Sequence, residues 1–198
     1  MNVLEIFSGS CMFSNVAKKL GNNTFAIDIK GFDGVDLKKD IFKLSYKDIP
    51  FIPDIIWASP PCTAFSVASI RHYWKGGKGA YIPKKAEAYI GIALVQKAKD
   101  IIEYFKPKYW YIENPRGVLR KLDVVKDLPI RHTVWYCKYG DIRAKPTDIW
   151  TNDYTWIPRP VCKNGNPNCH HEAAPRGSKT GTQGKKNAYL RSIIPEQL

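Results

Sequence analysis

Cys62 carries the strongest chemical signal in the chain. It lies in Asp54-Ile-Ile-Trp-Ala-Ser-Pro-Pro-Cys62-Thr-Ala-Phe65-Ser66, where two prolines stop an apolar run. Proline fixes φ and has no N–H for a ladder, so a strand over Ile55–Ala58 must end at Pro60 and Pro61. A thiol on a stiff turn at the carboxyl end of a strand stands where open α/β sheets build their sites. There a thiolate is a nucleophile. A small, inert, buried cysteine is the other reading of the same residue.

Two more strand ends carry polar groups. Phe7-Ser-Gly-Ser-Cys-Met-Phe13 is a glycine-bearing loop leading into a helix, suited to a nucleotide-like cofactor, although the full dinucleotide glycine fingerprint is missing. Asp28 closes the run Thr24–Ile27 and is placed to accept from ribose hydroxyls or to cap a loop. Glu113-Asn114 follows Tyr109–Ile112. In one parallel sheet these ends converge on one edge, where a ligand can bridge them. A separate set, Cys162-x6-Cys169-His170-His171, has the donor types of a zinc staple. Its spacing departs from the common knuckle, so incidental thiols in a basic tail compete with that reading, and no metal is assigned.

The elements that must position these groups alternate. Asn2–Phe7, Thr24–Ile27, Ile55–Ala58, Tyr109–Ile112, Thr133–Cys137 and Asp148–Trp150 read as strands. Phe13–Leu20 has helical spacing ending at Gly21. Pro83 precedes a long amphipathic helix near Lys84 to Phe105. Strands alternating with helices predict an α/β fold with a largely parallel sheet and helices on both faces. The last 45 or so residues, rich in Gly, Pro, Asn and Lys, read as irregular.

The 198 residues suit one domain with a small appendage. No apolar run spans a bilayer, and Met1-Asn-Val-Leu-Glu carries no signal-peptide pattern. Five scattered cysteines argue for reduced thiols in a cytoplasmic setting. The net charge of +13 is uneven. Residues 1–70 balance seven basic against seven acidic side chains, whereas Arg71–Lys85 has five basic residues and no acid. Interleaved aromatics (Tyr73, Trp74, Tyr81, Trp156, Tyr189) fit phosphate contact with base stacking, so a nucleic-acid partner is favoured over bare solubility.

The ordered set Phe7-Ser-Gly9, Asp28, Pro60-Pro-Cys62-Thr-Ala-Phe65-Ser66, Glu113-Asn114 and Tyr139-Gly140 resembles the DNA cytosine-5 methyltransferases over residues 1–152, and in particular compact, phage-like members. The resemblance implies a Rossmann-like, S-adenosylmethionine-dependent methyltransferase sheet with an antiparallel last strand. It implies methyl transfer to C5 of cytosine in DNA through a covalent bond between Cys62 and C6. Glu113 would hold or protonate N3, and Asn114 would fix its loop. The target base must leave its stack. The implied cofactor residues are Phe7, Ser8, Gly9, Ser10, Cys11, Met12, Asp28, Ile29, Asp40, Ile41, Ser59 and Pro60. Arg143 or Lys145, where the family has Gln-x-Arg-x-Arg, is expected at the target nucleotide.

Departures are equally specific. Cys11 replaces a second glycine, Thr63 a glutamine and Pro115 a valine. Only 46 residues follow Asn152, where the family inserts a long target-recognition region. Arg191-Ser-Ile-Ile-Pro195-Glu196 is similar to the family's penultimate motif, and the final one is missing. The expected division is a catalytic and cofactor-binding part over 1–152 and a basic target-recognition segment over 153–198. Ser66, Arg71, Lys75, Lys78, Arg176 and Lys179 are expected to contact DNA, duplex or single-stranded. A monomer is expected, in the bacterial host cytoplasm if phage-encoded. RNA as substrate and a catalytically degenerate binding module are the alternatives. An amino-methyltransferase is disfavoured, because it needs an aromatic residue where Cys62 stands.

Overall fold

In a computed structural model describing residues 1–76, 80–172 and 187–198, the apolar runs form one seven-stranded sheet. The chain order is β1 (Asn2–Ile6), α1 (Met12–Lys19), β2 (Asn23–Asp28), β3 (Leu37–Lys38) and β4 (Ile55–Ala58). A short helix α2 (Ile70–Tyr73) and a small hairpin, β5 (Trp74–Lys75) with β6 (Ile82–Pro83), precede α3 (Ala86–Phe105). Then come β7 (Tyr109–Pro115), β8 (Ile130–Trp135), β9 (Pro146–Thr151) and α4 (Ala188–Ser192). The sheet order is β3-β2-β1-β4-β7-β9-β8, parallel from β3 to β7, with β9 antiparallel to both its neighbours.

Crossovers between parallel strands need a covering element, and the two longer helices supply one on each face. Leu4, Ile6, Ile56, Ala58 and Ile112 point to the α3 side, where Val95, Ala98 and Ile101 meet them. The alternate residue Trp57 points to the other side, and Phe13 of α1 stacks on it at 4.6 Å. Register levels the strand ends: Ile6 sits beside Ile27 and Ala58, and Ala58 beside Ile112. The β1–α1 loop, Asp28, the Pro-Pro-Cys turn and Glu113 therefore gather along one edge of the parallel strands.

Several boundaries differ from the pattern reading, three of them for a visible reason. β7 continues through Glu113, Asn114 and Pro115, because β9 pairs alongside with Ile149, Asp148 and Thr147. β8 stops at Trp135, and Tyr136–Tyr139 tightens into a 3₁₀ turn. The long helix begins at Ala86, because Lys84 still donates its N–H to Tyr73 O in the hairpin (2.9 Å). Residues 153–172 contain no helix or strand. Among the described residues, no helix is long and apolar enough to cross a membrane.

Candidate active site

The turn bearing Cys62 is held from several sides. Cys62 O accepts from the N–H groups of Phe65 and Ser66, both at 2.9 Å, which closes the turn. Asn114 Nδ2 donates to Pro60 O at 2.9 Å from the adjacent strand. Trp74 Nε1 donates to Ala64 O at 2.6 Å, and Val118 N to Phe65 O at 2.8 Å. Phe65 is fully buried against α3 at Gly91. A Cβ at Gly117 would lie 2.1 Å from Phe65 O, so only glycine lets that backbone pass. The signature Phe-Ser after the cysteine is thus a packing device: Phe65 anchors the turn, and Ser66 caps the next one.

A cavity of about 80 Å³ opens at this turn. Phe7 to Ser10 form one wall, Ser59 to Cys62 another, and Glu113, Pro115 and Lys145 a third; Ser192 and Ile194 of the C-terminal segment close it. Glu113 is buried, and its Oε1 accepts from Tyr136 Oη at 2.9 Å. The Lys145 ammonium lies 4.4 Å over the Tyr136 ring and donates to Arg191 O at 3.1 Å. Burial pushes the Cys62 thiol above its ordinary pKa; the Lys145 charge pulls it back down and that of Glu113 adds to the rise. Burial likewise lowers the Lys145 ammonium, with the Glu113 and Cys62 charges opposing. The Tyr136 hydroxyl is held well above its usual value, first by burial and then by Glu113, and stays a donor.

The β1–α1 loop has positive φ at Phe7 (56°), Gly9 (50°) and Cys11 (51°). Strain of this kind persists only where the surroundings over-determine it. Asp28 Oδ2 accepts from Gly9 N at 3.0 Å and its Oδ1 from Lys30 N at 2.8 Å, so that carboxylate shapes the loop. Beneath it, Glu5 Oε2 accepts from Ser14 N (2.8 Å) in the first turn of α1. Burial raises the Glu5 carboxyl to about 7. Sequence reading missed Glu5; the signal was an acid in the middle of an otherwise apolar strand.

Several expected residues fall outside the cavity. Cys11 is fully buried behind the loop, where Gly34 meets its Cβ. Met12 lines a second, apolar cavity of about 270 Å³ against Phe13 and Trp57. Ile41 belongs to the core, Asp40 Oδ1 caps Phe42 N at 3.0 Å, and Ile29 is exposed. Arg143 is corrected most sharply. Its guanidinium is buried, pairs with Asp141, and donates to the carbonyls of Leu190 (3.3 Å), Arg191 (2.9 Å) and Ile193 (2.8 Å). It clamps the C-terminal segment, and among the described residues Lys145 is the cation that lines the cavity.

On the basic surface, Arg71 of α2 and Lys75 of β5 are exposed, and Ser66 Oγ accepts from Ala68 N at 3.4 Å. Lys78, Arg176 and Lys179 lie outside the described residues. Trp74 is buried and Trp156 packs edge-on against Tyr111, so neither is a free stacking platform; Tyr189 is exposed beside Phe32. The cysteines of the tail meet a histidine, but it is His171: His170 Nε2 faces Asp141 O at 3.1 Å.

A sheet of this order, with one antiparallel strand near its end and loops gathered along the parallel strands' carboxyl edge, has the α/β methyltransferase fold. Solved structures agree. A protein described as a DNA modification methyltransferase encoded within an E. coli prophage matches with a TM-score of 0.55 over 83% of this chain at 15% identity. The S. pombe Dnmt2 methyltransferase matches with 0.51 over 81% at 14% identity. The chain spans about half (52%) of each of these two. The chain belongs to the C-5 cytosine-specific DNA methylase family, whose pattern matches residues 3–127. A Frog virus 3 (isolate Goorha) protein described as a probable DNA (cytosine-5)-methyltransferase is 30% identical over all of this chain and 99% of its own length.

Proposed function

We propose that the chain methylates C5 of cytosine in DNA, with S-adenosylmethionine as donor and Cys62 as nucleophile. The observation that carries this reading is the shared cavity: Cys62, Glu113 and Lys145 line it opposite the β1–α1 loop. The residues present fit the cofactor. A Cβ at Gly9 would meet nothing within 4 Å, so a ligand can lie against that backbone. Asp28 accepts two N–H groups and keeps acceptor capacity for ribose hydroxyls. Phe7 to Ser10, Ser59 and Pro60 would hold the remainder. When bound, that cofactor supplies an electrophilic methyl group.

The chain's own residues make C5 able to receive it. Cys62 sulfur adds to C6, and the electron pair of the C5–C6 double bond moves to C5 and toward N3. Glu113, fixed by Tyr136, shares a proton with N3 and takes up the charge that builds there. Lys145 favours the thiolate at the start. Asn114 holds Pro60 and keeps sulfur in place. Loss of the C5 proton to a base then expels the Cys62 thiolate and restores the ring.

Duplex DNA containing 5-fluorocytosine tests this, because fluorine at C5 blocks the last elimination. With S-adenosylmethionine present, a denaturant-stable protein–DNA band is expected, and Cys62→Ser should lose it. A band with fluorinated RNA alone would move the substrate. No band with either, despite binding, would sink the covalent mechanism.

A further inference from the structure

The geometry points to a structural zinc site formed by Cys137, Cys162, Cys169 and His171, apart from the cavity and independent of the proposed reaction. The three sulfurs and one ring nitrogen all lie within 4.8 Å of one another, and Cys162 Sγ is 3.8 Å from His171 Nδ1. Zn–S bonds of about 2.3 Å in a tetrahedron give S–S edges of about 3.8 Å, so a small contraction of this cluster encloses the ion. Four protein donors leave no open position, which makes the site structural rather than catalytic.

Burial and the surrounding bonds support the assignment. Cys137, Cys162 and His171 are buried and Cys169 is half-buried. The loop between the two tail cysteines is pulled tight: Asn166 N donates to Lys163 O and Cys169 N to Asn166 O, both at 3.2 Å. Asn166 Nδ2 also approaches Cys162 Sγ at 3.6 Å, the N–H···S contact that a metal-bound thiolate accepts. Residues 153–172 have no helix or strand, and apart from Trp156, which packs against Tyr111, their large apolar side chains face outward: Tyr154, Ile157 and Val161 are 78%, 87% and 71% exposed. Such a segment has no hydrophobic core of its own to order it, and a metal staple is the usual substitute.

Cys137 explains why the sequence pattern was incomplete. It lies 25 positions before Cys162 and comes from the 3₁₀ turn after β8. Its neighbour Tyr136 holds Glu113, and Tyr139 Oη two positions on accepts from Arg159 N at 2.9 Å. Zinc would therefore tie the irregular segment to the turn that orients Glu113.

Metal analysis of the full chain, purified without added metal or chelator, should return about one equivalent of zinc. Exchange for cobalt(II) should give thiolate-to-metal absorption in the near ultraviolet and the intense visible bands of a tetrahedral site. His170→Ala should keep metal and spectrum. Cys169→Ser and His171→Ala should lose the metal to a chelator concentration that the parent chain withstands. If those variants fail to fold, the parent's metal content and its cobalt spectrum still decide. Substoichiometric metal with all five thiols titratable would overturn the site, as would a cobalt spectrum without thiolate bands. Fewer than five thiols under non-reducing conditions, without metal, would replace it with a disulfide.

Discussion

As the proposed nucleophile, Cys62 has an unfavourable setting, and the Lys145 charge is what opposes it. Burial raises the thiol, so at neutral pH the thiolate is the minor form; the nearby ammonium opposes that rise. Two outcomes follow at the residue scale. The rate at which iodoacetamide alkylates Cys62, read by mass spectrometry at that residue, should climb with pH through the alkaline range, as it does for a thiol raised above its ordinary value. Lys145→Met should move that climb to still higher pH and slow alkylation at neutral pH by about tenfold, the equivalent of one pKa unit. A profile unchanged in Lys145→Met would remove the lysine from thiol activation. Glu113 adds a constraint, since its partner Tyr136 is a hydroxyl that does not ionise in the working range. Tyr136→Phe should therefore cut turnover and leave cofactor affinity within about twofold, because in the proposed mechanism the Tyr136 bond orients the group that meets the target base, not the cofactor. Equal losses in both would mean a general loosening of the site.

At the element scale, the site depends on a turn that cannot shift. Pro60 and Pro61 stiffen it, but stiffness alone does not aim a sulfur; Asn114, Trp74, Val118 and Gly117 do that from three separate elements. Gly117→Ala is the cleanest probe, since its Cβ meets a carbonyl oxygen at 2.1 Å and backbone must move. A loss of about 2 kcal/mol in urea unfolding is expected, with turnover falling more steeply than cofactor binding. A neutral result would show that the Phe65–Val118 contact does not position Cys62. These contacts also mark the limit of sequence legibility. Strand ends bearing Gly9, Asp28, Cys62 and Glu113 were readable, because apolar runs and prolines declare where a strand stops. The extension of β7 through Asn114 was hidden, because pairing with β9 overrides the breaker signal of Glu-Asn-Pro. The choice between Arg143 and Lys145 was hidden for a related reason: both carry the charge that suits a nucleotide, while only folding spends the five donors of Arg143 on Asp141 and the carbonyls at the end of α4. Cys137 was unreadable as a partner of Cys162, since their proximity is created by tertiary folding alone.

At the scale of the whole molecule, one buried acid should govern how stability follows pH. Glu5 lies in the sheet under α1, and burial lifts its carboxyl from an ordinary 4.5 to about 7, with hydrogen bonding from Ser14 and from the Phe13 N–H opposing the rise and the Asp28 charge adding to it. The folded state therefore binds this proton more tightly than the unfolded chain does. That contribution is complete below pH 4.5 and is lost as pH rises through about 7. The shift corresponds to about 3 kcal/mol, near a third of the stability typical of such domains. Why an acid persists there follows from its partner: a carboxylate oxygen accepts the free N–H of an α1 first turn that has no side-chain cap of its own. Glu5→Gln keeps an acceptor oxygen and removes the titration. Urea unfolding of both chains between pH 4.5 and 8 should show the parent losing about 3 kcal/mol more than the variant up to pH 7, and a constant gap above it. All other titrating groups are shared, so they cancel in the difference. Parallel curves would mean that Glu5 is ionised throughout, and that the α1 terminus, rather than burial, sets its charge.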